Sequence, residues 1–140
     1  MRFVLMLIAV LAFTAAHAQQ QQLPLTKYTA GMNIIAAEVA STPAQIELGL
    51  MYRKELVANN GMMFILGHSP YQCMWMKNTL IPLSVAFMDR GGVILNIEEM
   101  LPQTLAYHCA GKPAEYALEM AAGWFRRKGI KPGSKVELMK

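Results

Sequence analysis

The string Trp75-Met76-Lys77-Asn78-Thr79 sets an indole, an ammonium, an amide and a hydroxyl side by side, with Leu80-Ile81-Pro82-Leu83 directly after it. Lys77, Asn78 and Thr79 interrupt two apolar runs. Polar groups converging beside an aromatic face are what a pocket for a small anionic or hydroxylated ligand uses. The competing reading is a local turn, in which Asn78 and Thr79 bond their own backbone and Lys77 stays in solvent. Arg53 and Glu119 are two further charges set in apolar sequence. A charge there is costly to bury without a partner, so the two either form ion pairs, with each other or elsewhere, or line a pocket. The candidate ligand-binding set is Arg53, Trp75, Lys77, Asn78, Thr79 and Glu119. Asp89 lies in an Asp-Arg-Gly-Gly turn, where aspartate is expected on structural grounds.

Two other chemistries are weaker alternatives. A hydrolytic nucleophile needs an adjacent base, yet beyond residue 18 the histidines are His68 and His108, and neither Gly-x-Ser-x-Gly nor His-Glu-x-x-His occurs. His68 stands in a Gly-His-Ser-Pro loop. Cys109 follows His108 directly, but neighbours on a strand point to opposite faces, so no catalytic residue is assigned. The second alternative is a soft-metal binder. Met62-Met63, His68, Cys73-Met74-Trp75-Met76, Met100 and His108-Cys109 supply the sulfur ligands that select Cu(I). Methionine is equally an adaptable core filler, and no cofactor is expected.

The elements that must position these residues are short. Residues 25–29 and 32–40 mix β-branched and aromatic side chains without a 3.6 period and are separated by Gly31, which reads as two strands. Thr42-Pro43-Ala44-Gln45 offers an N-cap, a proline at the first helical position and a glutamine three residues after the cap, so a short helix runs to about Met51. Segments 61–66, 73–76, 83–89 and 93–100 are apolar runs bounded by Gly, Pro and Asn, with a hairpin signal at 89–92. Segment 116–120 fits strand or helix. A helical turn at 124–128 ends at Gly129, and Pro132-Gly133 leads into a last strand, 135–139. Seven or eight short strands with two short helices predict a mainly β fold, a sandwich or small barrel in a single domain from residue 25 to 140.

The N-terminus carries an export signal. Met1-Arg2 is followed by an apolar run over 3–16, and Ala16-His17-Ala18 offers a cleavage site after Ala18. Fourteen apolar residues fall short of the roughly 20 needed to span a bilayer. Residues 1–18 are therefore expected to be a signal peptide and 19–24 a polar leader, with no membrane span in the mature chain. A periplasmic or secreted location follows. The formal charge of +4 is a weak bias, with Arg126, Arg127, Lys128, Lys131 and Lys135 as the only basic cluster, so nucleic acid is not an expected partner. With 54% hydrophobic and 16% charged residues the chain is not disordered. Cys73 and Cys109 reach a compartment where disulfides persist. They are either paired, closing a loop and stabilising the fold by roughly 3 to 4 kcal/mol, or two buried thiols; nothing resembles Cys-x-x-Cys.

Gly49-Leu50-Met51-Tyr52-Arg53, Gly61-Met62-Met63-Phe64, the string 75–83 and Tyr116-Ala117-Leu118-Glu119, with Gly123, Gly129-Ile130 and Gly133, resemble the bacterial and archaeal family known as domain of unknown function number 192, also uncharacterised protein family 0127. The resemblance runs from about Ile34 to Leu138. It implies a compact, mainly β domain, often exported, with no established activity. Cys73 and His108-Cys109 resemble a branch carrying both cysteines, which favours the disulfide. Ser84 stands where many members are acidic, so no carboxylate role carries over to it. The expected function is non-catalytic binding of a small ligand or of an envelope protein.

Overall fold

A computed structural model describes residues 22–67 and 72–140. The expected signal segment 1–18, part of the polar leader and His68 lie outside the described residues. Strand β1 (Leu25–Ala30) turns at Gly31 into β2 (Asn33–Ala40), its antiparallel neighbour. Helix α1 (Pro43–Leu48) follows, and its start is the expected capping box: Thr42 Oγ1 accepts from the Gln45 amide at 3.2 Å while Gln45 Oε1 accepts from the Thr42 amide at 3.1 Å. The helix delivers the chain to β3 (Asn60–Ile65), which lies parallel to β2.

Next come β4 (Cys73–Met74), β5 (Leu83–Met88), β6 (Ile94–Met100), β7 (His108–Cys109), β8 (Tyr116–Ala121), helix α2 (Trp124–Arg127) and β9 (Val136–Leu138). Seven strands form one sheet in the order β6-β5-β8-β3-β2-β1-β9, and β4 pairs with β7 in a separate ladder. The fold is mainly β, as the sequence predicts. Segment 116–120, open between strand and helix, is the central strand β8, while only two residues of 73–76 are strand. The two-residue β7 was not foreseen, because two residues carry no period to read.

The large sheet curls until its outer strands meet, giving a half-barrel. Val93 bridges Lys135, the Ile94 amide donates to the Ser134 carbonyl at 2.8 Å, and the Val136 amide donates to the Gly92 carbonyl at 2.9 Å. A Cβ on Gly92 would collide with the Val136 carbonyl, and its φ is +78°, so only glycine allows this approach.

Both faces of the sheet are covered, which explains why β5 is buried along its whole length. Inside the curl, Ile35, Met63, Met88, Leu118 and Met120 pack around Trp124 and Phe125 of α2. Trp124 Nε1 donates to Asn59 Oδ1 at 2.9 Å, which satisfies the one polar atom of that buried indole. Outside the curl, Met62, Phe64, Val85, Phe87 and Ala117 pack under Leu50, Met74, Met76 and Met100. The α1 crossover and the β4–β7 ladder form this outer cover.

Ser84 is fully buried and donates to Glu99 Oε2 at 2.6 Å, while the Gly123 amide donates to Ser84 Oγ at 2.8 Å and to Glu99 Oε2 at 3.2 Å. Ser84 is thus a buried hydroxyl backed by a carboxylate from the next strand.

Candidate functional site

Glu119 belongs to a row of side chains that crosses the outer face of the sheet. Pairing places Glu38 opposite Met62, Met62 opposite Glu119, Glu119 opposite Val85 and Val85 opposite Glu98, and directly opposed residues share a face. Two carboxylates, Glu38 and Glu119, are thus buried with one strand, β3, between them, at 2% and 4% exposure. Their surroundings differ. Arg53 Nη2 donates to Glu38 Oε2 at 2.9 Å, and the Leu23 amide donates to the same oxygen at 2.7 Å. Glu119 has no such neighbour: among the described residues, burial alone pushes its carboxyl up to about 8, with neither charge nor hydrogen bond contributing.

Among the described residues no side-chain polar atom is both sealed from solvent and unbonded. The Glu119 oxygens must therefore touch accessible space, and the space they touch is a cleft of about 160 Å³. Its walls are Leu50, Met51, Phe64, Met74 and Trp75, and Thr79 lines it as well. A second cleft of about 320 Å³ adjoins it, sharing Glu47, Leu48, Met51 and Trp75 and adding Tyr52, Lys77 and Asn78. Together they make one groove with a broad mouth and a narrow inner end.

The wall carrying Trp75 hangs from the small ladder. Cys73 opposes Cys109 there and the two are joined by a disulfide. Just past the ends of the two strands, Trp75 stacks on Tyr107 with ring centroids 6.2 Å apart and planes 6° from parallel. Lys77 Nζ lies 5.2 Å from the Trp75 ring centroid, a cation–π contact. The disulfide fits an oxidising compartment. It also leaves Cys109 no thiol for nucleophilic attack and takes both thiolates out of the soft-metal donor set.

Of the six candidate residues, Trp75, Lys77, Asn78, Thr79 and Glu119 line the groove. Arg53 does not, because the Glu38 carboxylate holds it elsewhere. The string also forms a turn. The Thr79 amide donates to the Met76 carbonyl at 3.1 Å, Thr79 Oγ1 donates to the Lys77 carbonyl at 3.2 Å, and Asn78 adopts φ 53° with its carbonyl accepting from the Tyr52 amide at 2.8 Å. That turn is what aims Lys77 and Asn78 at the mouth. Sequence reasoning missed Glu38, Tyr52 and Tyr107. Glu38 carried the same mark as Glu119, a lone charge in an apolar strand.

Half-barrel, disulfide-linked ladder and lateral groove define a class of small β proteins. The matching family model, described as Uncharacterized ACR, COG1430 (DUF192), covers residues 26–138, and the chain belongs to that family. Two solved structures are similar. One is a protein of Sinorhizobium meliloti 1021, provisionally described as a transcription regulator, 32% identical with a TM-score of 0.81, covering 86% of this chain and 98% of its own. The other, of unknown function, comes from Novosphingobium aromaticivorans DSM 12444, at 34% identity and a TM-score of 0.76, covering 82% of this chain and 86% of its own. No curated protein matches the chain. Among the described residues no helix is long and apolar enough to cross a membrane.

Proposed function

We propose that this chain is an exported, non-catalytic binding domain whose ligand enters the groove between α1 and the β4–β7 ladder. The observation that carries the reading is that Trp75, Lys77, Asn78 and Thr79 from one short string and Glu119 from a strand 40 positions further on line two adjoining clefts. Small-molecule sites are concave, mostly apolar and furnished with a few polar groups, and this groove has that composition. The export signal expected at 1–18 and the disulfide both suit a periplasmic or secreted protein, and this reading takes residues 25–140 as a single domain.

The test is a thermal-shift screen of the oxidised protein against organic anions, sugars, amines and short peptides. Hits are expected to disappear in Lys77→Ala/Asn78→Ala, whose unfolding midpoint without ligand should stay within a few degrees of the parent. A hit that survives the double substitution refutes this groove as the site.

A further inference from the structure

The geometry points to a ligand that presents a primary ammonium on an unbranched aliphatic stem, seated in the inner cleft with its charge against Glu119. This rests on reading the groove as a ligand site and deepens it. At about 160 Å³ the inner cleft is smaller than the roughly 300–1,000 Å³ of pockets that enclose a drug-sized molecule. It accepts a tip no larger than a side chain, with the body left in the outer cleft. Its walls are apolar and aromatic, from Leu50, Phe64, Met74 and Trp75, which suits a methylene stem. Its inner end holds a carboxyl that is 4% exposed, open to the cleft and without a hydrogen-bond or ion-pair partner among the described residues. On the far side of β3, the same kind of buried carboxylate, Glu38, is satisfied by a cation, Arg53. The cleft therefore repeats the Glu38 arrangement with the cation left to be supplied from outside.

The charges around Glu119 set the expected pH response. On β2, Glu38 is held by Arg53; on α1, Glu47 lines both clefts; on β6, Glu98 ends the row beyond Val85; on β7, His108 pairs opposite Met74; and Lys77 stands at the outer mouth. An arriving ammonium pairs only with the ionised carboxylate, so below about pH 8 binding expels the Glu119 proton. Alkylammonium groups keep their charge until about pH 10. Affinity is thus expected to rise about 50-fold from about pH 6 to about pH 8, following the ionised fraction of Glu119.

The experiment follows the methyl resonances of Met51 and Met74 in oxidised protein labelled at its methionine methyls. The probes are n-butylammonium, the uncharged n-butanol, the Nα-acetyl amide of lysine and that of norleucine. Saturable shifts with the ammonium probes but not with their uncharged counterparts are expected, with the stated pH dependence and with loss in Glu119→Gln. The wild-type pH series carries the test by itself should that variant fold poorly. Tighter binding of the lysine derivative than of butylammonium identifies a polypeptide lysine as the source; equal or weaker binding identifies a free amine. Equal binding of butanol or norleucine, or ammonium binding that ignores pH, overturns the inference while leaving the groove as a site. Absence of any shift at Met51 and Met74 with every probe overturns the inference, while the groove reading then stands or falls on the thermal-shift screen.

Discussion

The isolated carboxyl of Glu119 should make the fold weaken as the solution becomes more basic, and the size of the effect follows from the structure. In the unfolded chain this carboxyl titrates near 4.5, whereas in the folded protein burial pushes it up to about 8. The folded state therefore holds a proton that the unfolded state has released across that window. Stability from this group is complete below about pH 4.5 and falls by about 1.4 kcal/mol per pH unit until it is lost near pH 8, an upper bound of about 5 kcal/mol. Glu119→Gln keeps the shape and has nothing to titrate. Urea unfolding of both proteins at intervals from about pH 5 to about pH 9 should give a wild-type free energy that declines relative to the variant and then levels off above about pH 8. Subtracting the variant cancels every other titrating group. Two parallel curves, differing by less than about 1 kcal/mol in slope across the range, would refute the claim that this carboxyl is buried without a partner.

Three further outcomes are expected. Arg53→Met should cost about 3–5 kcal/mol in chemical denaturation, because it leaves the Glu38 carboxylate buried without its cation, and Glu38→Gln in the same chain should recover part of the loss. Replacing both Cys73 and Cys109 by alanine should lower stability by about 4 kcal/mol, from the 36-residue separation that the bond closes, measured by urea unfolding against the oxidised parent. Gly61→Ala should destabilise by more than about 1 kcal/mol, since the added methyl meets the Glu119 carbonyl and the Met120 sulfur across the β3–β8 pair; an unchanged thermal midpoint would count against the register given for those strands.

The legible parts of the molecule were those with a local chemical signature. The capping box at Thr42 and Gln45, the glycine at Gly129 and the turn-bounded strands could be read because each is written in a few consecutive residues. Trp75 to Thr79 stood out as polar side chains in an apolar stretch, and the fold does carry them to a groove. What stayed hidden depends on pairing at long range. Nothing in the sequence around Arg53 names Glu38 rather than Glu119 as its partner, since the choice is made by the parallel register of β2 on β3. Tyr107 could not be tied to Trp75 before the two cysteines were known to face each other across a ladder. The sequence pattern also could not tell strand from helix at 116–120, because β8 is covered on both faces and has no alternation left to read.

Curling the large sheet until Val93 meets Lys135 has a consequence for how the protein behaves at high concentration. Unpaired outer strands are templates on which a second chain can add, a common start of aggregation. Here β9 is three residues long and carries charge, with Lys135 just before it paired to Glu137 within it. The opposite rim is shielded at Asn96, whose side chain donates to the Cys109 carbonyl and accepts from the Gly111 amide. Built this way, the large sheet offers little backbone at its rims for intermolecular β-addition.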